Sequence, residues 1–261
     1  MFIDKTFMRW LSLALFLVAM GSQLPLVHAS GLSAPAEHGM IQIAENIYIE
    51  PIIPAAAQPT VLELVKGARE RAALFYGELT ATPNIVFCAT AHCYRKFGAV
   101  GLGFTDGRNV VISSSGARVA ILAHELSHVE LAVRLGGPHR VTAKVPQWFD
   151  EGSAVLASMA EEFSEAAWLD ATDQGERAPP IYALEVSDDW NRITGNQGIH
   201  MQDSYGTARH EVARWFDNVG REGFLRLIDA LAKDESFYQA YGRIEASAYL
   251  SHRLAVRGDQ H

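Results

Sequence analysis

The chain has 261 residues and a formal net charge of −8, from 22 Lys plus Arg against 30 Asp plus Glu. That balance excludes a nucleic-acid-binding role built on clustered cations and otherwise speaks only to solubility. The length, with 49% hydrophobic residues, suffices for one large domain or two closely packed lobes around a cleft.

Residues 1–29 read as a signal peptide. Lys5 and Arg9 give a weakly basic start, Leu11 to Met20 is apolar apart from Ser12, and Val27-His28-Ala29 offers small residues where signal peptidase reads. Cleavage is expected after Ala29, giving a periplasmic or secreted protein of one domain over 30–261. The apolar run is about ten residues, short of the ~20 that span a bilayer, so no stable membrane insertion is expected. No cysteine lies near the cleavage position, which argues against a lipoprotein.

Ile41 to Glu50 alternates loosely between apolar and polar residues and predicts a strand, followed by a loop at Pro51 and Pro54. Thr60 to Leu79 carries apolar residues at helical spacing. Pro83-Asn84 ends that pattern, and Ile85-Val86-Phe87 predicts a short buried strand. Cys88 and Cys93 form a close pair in an exported chain, most simply a disulfide stapling a strand end to the helix over Ala91–Phe97. A second metal site using His92 would lack a fourth partner. The glycines between Gly98 and Gly103 fit no nucleotide-binding spacing. Asp106-Gly107 signals a hairpin turn, with Asn109–Ser113 as the strand after it.

A helix is expected from about Ala117 to Leu135, stopped by Gly136-Gly137-Pro138. A second should run from about Trp148 to Phe163. Residues 174–196 read as mixed loop and short helix, and His139 and His200 as solvated loop residues. Helices then follow over Tyr205–Asn218, Arg221–Lys233 and Ser236–Tyr241. Strands first and helices last predict an α+β domain, with a mixed-sheet lobe over about 30–137, a helical lobe over about 138–261 and a cleft between.

The chemistry concentrates in His124-Glu125-Leu126-Ser127-His128. Residues four apart share a helix face, so His124 and His128 can present imidazoles to one ion, and Glu125 can reach a water beside it. Apolar flanks put the segment in the core, where unpaired imidazoles and a carboxylate would be costly. Downstream, Trp148-Phe149-Asp150-Glu151-Gly152-Ser153-Ala154 offers Glu151 as a third ligand. As helical neighbours Asp150 and Glu151 point about 100° apart, so only one faces the metal. Asp150 is then available to a His ring N–H.

These two stretches resemble the gluzincin metallopeptidases, and most of all their small bacterial branch. The resemblance is specific over about residues 109–160. It implies a zincin-like fold in which one Zn²⁺ is held by His124, His128 and Glu151, with a water in the fourth position. It also implies a Tyr at the start of a later helix as oxyanion donor, for which Tyr205 is the match and His210 the runner-up. In related folds an edge strand beside the cleft binds an extended peptide, a role expected here of Asn109–Ser113. The Gly-x-Met-Glu-Asn strand of the aminopeptidases is missing, which tilts the reading to an endopeptidase. The expected activity is hydrolysis of a peptide or protein substrate, with Glu125 as general base and Tyr205 assisting. The alternatives are a non-catalytic zincin-fold binding protein and a zinc hydrolase of non-peptide amides such as cell-wall fragments.

Overall fold

The computed structural model of the chain describes residues 34–194 and 201–258. The expected signal peptide, its cleavage site and His200 lie outside the described residues. Among the described residues no helix is long and apolar enough to cross a membrane.

The protein is α+β. Five strands, β1 (Ile41–Ala44), β2 (Ile47–Ile49), β3 (Asn84–Cys88), β4 (Gly103–Thr105) and β5 (Asn109–Ser113), form a mixed sheet in the order β1-β2-β3-β5-β4. The inner strands β2, β3 and β5 run parallel, with Ile85 opposite Val110 and Ile47 opposite Ile85, while β1 and β4 add antiparallel edges. The stretch 41–50 is therefore a hairpin and not a single strand. It turns at Glu45-Asn46, where Asn46 takes φ 59°, a conformation Asn tolerates better than most residues.

Side chains alternate across the pleat. Ile47, Ile49, Ile85, Phe87, Val110 and Ile112 face two helices, α1 (Gln58–Tyr76) and the first half of α3 (Val119–Leu135). On the opposite face Tyr48, Val86, Cys88 and Val111 pack against α2 (Ala91–Lys96) through Cys93, Tyr94 and Phe97. Thr90 caps α2 by accepting from the Cys93 amide at 3.1 Å, and a Cys88–Cys93 disulfide joins α2 to β3. Both thiols are thus committed and His92 is exposed, so a second metal site there is excluded.

The C-terminal part is helical: α4 (Pro138–Lys144), α5 (Gln147–Ser158), α6 (Glu165–Ala171), α7 (Ser187–Thr194), α8 (Met201–Ala232) and α9 (Phe237–Gly258). Helix α5 ends at Ser158, five residues before the expected Phe163, and is capped by Met159 with φ 53°. His139, expected in a loop, lies in α4. Helix α8 joins two of the expected helices across a local break at Gly220 and starts at Met201 rather than Tyr205. The last helix continues well beyond the expected Tyr241.

Helix α3 belongs to two cores. Leu122, Ala123, Leu126 and Val129 pack on the sheet side, whereas Leu131, Ala132 and Leu135 enter the helical core with Phe149, Trp215 and Phe224. Buried Glu130 fixes it laterally, accepting from the amides of Thr80 and Ala81 and pairing with Arg134 at 2.6 Å. The residues between 122 and 131 therefore sit where the two cores meet.

Candidate metal centre

Helix α3 delivers His124, Glu125 and His128 at that junction, and α5 crosses it with Asp150 and Glu151. The phase of α5 is set by its neighbours in sequence. Phe149, fully buried, contacts the rings of Trp215, Phe224, Phe237 and Tyr241, and Trp148 packs on Phe237 and Tyr241. With these two aromatics inward, the next two residues turn toward α3. Gly152 allows the approach, since a Cβ there would lie 2.4 Å from the Ala208 carbonyl oxygen of α8.

The side chains of His124, His128 and Glu151 converge. His124 Nε2 and His128 Nε2 are 3.1 Å apart, and Glu151 Oε2 lies 3.3 Å from the first and 3.6 Å from the second. Four ligands held tetrahedrally at about 2.0–2.1 Å stand about 3.3–3.4 Å from one another. The observed separations bracket that value, so the three atoms fit one small divalent ion. His124 and Glu151 are buried and His128 is half-buried, and the group can hold a metal ion. Glu151 Oε2 makes no hydrogen bond although it is shielded from water, an arrangement that is costly for a carboxylate without a cation.

The surrounding groups prepare the ligands. Asp150 Oδ1 lies 2.8 Å from His128 Nδ1; a proton there is donated to the carboxylate and leaves the Nε2 lone pair facing the other two ligands. Burial opposes charging His128, but Asp150 and Glu151 outweigh it and raise its pKa well above the usual imidazole range. Burial likewise opposes ionising Glu151, and His128 and His124 outweigh it, holding that carboxyl well below its usual range.

No family model, curated protein or solved structure matches the chain.

A cleft opens beside His124 and Glu125, lined also by Leu102, Gly103, Ile121, Phe163 and Tyr205. Glu125 is buried at this wall, and desolvation raises its pKa, which suits a carboxylate that must accept a proton near neutrality. Gly103 permits this placement: a Cβ on it would stand 2.7 Å from Glu125 Cγ and Oε1 and 2.9 Å from Ile121 Cγ2. Tyr205 is buried in α8, its ring 6.2 Å from that of His124 and 4.8 Å from that of Trp190. Burial, then the charge on Glu151, pushes its phenol far above the usual range, while a hydrogen bond with Trp190 acts the other way. It is a proton donor at all ordinary pH. His210, the runner-up, stacks on Trp168 at 4.0 Å and bonds Glu165 at 2.8 Å, away from the lining of the cleft.

The expected substrate strand is corrected. Asn109–Ser113 is β5, enclosed between β3 and β4, so its backbone groups are already paired. The edge at the cleft is β4, only three residues long and without an alternating pattern to announce it. Gln147 was also missed: its Nε2 donates to Glu151 Oε1 at 3.0 Å. The signal was its position four residues before the ligand, on the same helix face.

Proposed function

We propose that the protein is a zinc-dependent hydrolase of peptide bonds, of the gluzincin type, acting as an endopeptidase on extended substrates. One observation carries the reading: three converging ligand atoms at tetrahedral separations stand beside a desolvated glutamate and a protonated tyrosine at one cleft wall. His124, His128 and Glu151 would hold the ion. When bound, zinc supplies Lewis acidity, polarising a carbonyl and making a water acidic near pH 7.

The remaining work falls to the chain's own side chains. Glu125 takes the proton of the attacking water and returns it to the leaving amine, a transfer favoured by its raised pKa. Tyr205 donates its phenolic proton in a hydrogen bond to the developing oxyanion, and Trp190 holds the ring. The short edge strand β4 offers backbone groups to an extended peptide.

The test is an unbiased peptide library incubated with zinc-loaded wild type and Glu125→Gln. Internal cleavage by wild type alone, with zinc retained in both, is the expected result. Zinc without cleavage of any peptide would shift the assignment to a binding protein or to a hydrolase of other amides.

A further inference from the structure

The Glu151 carboxylate has two oxygens in different settings. Oε2 faces the two imidazoles, while Oε1 accepts from Gln147 Nε2 at 3.0 Å. An ionised carboxylate can only accept, so the amide nitrogen of Gln147 must point at it and the amide oxygen away. That oxygen lies 2.6 Å from Ser187 Oγ, which must then donate. The directions of the bonds are therefore forced: Ser187 hydroxyl to Gln147 oxygen, Gln147 amide to Glu151 Oε1.

Ser187 opens α7, and the segment before it is fixed by a second bond, from the Gln147 backbone N–H to the Glu185 backbone carbonyl at 2.9 Å. The same short helix carries Trp190, buried and edge-on to Tyr205 at 4.8 Å. Helix α7 thus touches the machinery at two points, Gln147 and Tyr205.

We infer that Gln147 and Ser187 are positioning residues for the metal: a two-step hydrogen-bond relay from α7 that fixes the rotation of Glu151 and reserves Oε2 as the ligand oxygen. The terminal carboxylate torsion of Glu has broad minima, so packing of the stem alone does not set it. With Gln147 in place, one oxygen is occupied and the other faces the imidazoles. This rests on the metal reading above and goes beyond it by assigning residues outside the ligand set.

The test is zinc affinity, measured by competition with a chromophoric chelator, together with thermal melting of the metal-free protein. Gln147→Ala is expected to weaken zinc binding about 10–100-fold, the usual cost of losing a partner that orients a ligand, without a matching loss of metal-free stability. Ser187→Ala, which removes one neutral hydrogen bond, is expected to cost about 2–10-fold, and Ser187→Thr, which keeps the hydroxyl, to restore it. Because Ser187 acts through Gln147, adding Ser187→Ala to Gln147→Ala should change nothing further. Wild-type affinity in Gln147→Ala, or a full additional loss in the double variant, overturns the relay and leaves the metal reading standing. Absence of zinc binding by wild type overturns both.

Discussion

Replacement of Gly103 by Ala tests how the edge strand and Glu125 are coupled. The added methyl carbon would stand 2.7 Å from Glu125 Cγ and Oε1, whereas ordinary contacts begin near 3.4 Å. One side must give way by about 0.7 Å. Ile121 Cγ2, at 2.9 Å, is crowded as well, and the Glu125 side chain, with two atoms at 2.7 Å, takes the closer contact. Overpacking of this kind costs about 1–3 kcal/mol, and a misplacement approaching 1 Å costs up to about 10²-fold in rate. The assay is a double-mutant cycle with Glu125→Ala, read by denaturant unfolding, alongside cleavage of a peptide found in the library screen. Gly103→Ala should destabilise the wild-type background by about 1–3 kcal/mol, and clearly less once Glu125 is truncated. Peptide cleavage should fall about 10–100-fold with zinc affinity unchanged. Additive stabilities, or full activity in Gly103→Ala, would refute the claim that this glycine makes room for Glu125.

Tyr205→Phe should lower kcat about 10²–10³-fold, as loss of an oxyanion donor does, with zinc affinity retained; unchanged kcat would remove Tyr205 from the chemistry. Zinc affinity should fall on acidification, because protons compete with metal for the imidazoles and the raised pKa of His128 starts that competition above the usual imidazole range; a chelator titration across pH 5–9 gives the slope, and a flat profile would contradict histidine ligation. Opening the Cys88–Cys93 bridge, a loop with sequence separation 5, should cost about 2 kcal/mol on the loop-entropy relation, seen in denaturant curves of Cys88→Ser/Cys93→Ser. Gly152→Ala should destabilise the α5–α8 crossing, since its methyl would overlap the Ala208 carbonyl; a variant with wild-type melting temperature would show that the helices part freely.

The parts legible in the sequence were those written in short-range patterns. His124 and His128 share a face because they are four apart on an apolar helix, and Asp150 and Glu151 diverge because they are adjacent on another; both statements need only helical geometry. The disulfide was legible for the same reason, from two cysteines close together in sequence. What escaped was long-range or too short to have a period. Strand β4 has three residues, and its place outside β5 depends on which strands pair, which no local pattern encodes. The turn at Glu45-Asn46 splits one loosely alternating run into two strands with a polar pair as the only mark. Ser187 reaches Gln147 across 40 positions, and nothing at either residue foretells the other. Expectations for residues 1–29 rest on the sequence.

In the proposed centre His124, His128 and Glu151 hold one zinc ion, and Asp150 supports His128. The most direct measurement is equilibrium dialysis against buffered zinc, followed by elemental analysis, of wild type, Asp150→Ala and Glu151→Ala. One ion per wild-type chain, weaker binding in Asp150→Ala and the weakest in Glu151→Ala is the predicted order. No zinc in the wild type, or stronger retention by Glu151→Ala than by Asp150→Ala, would contradict it.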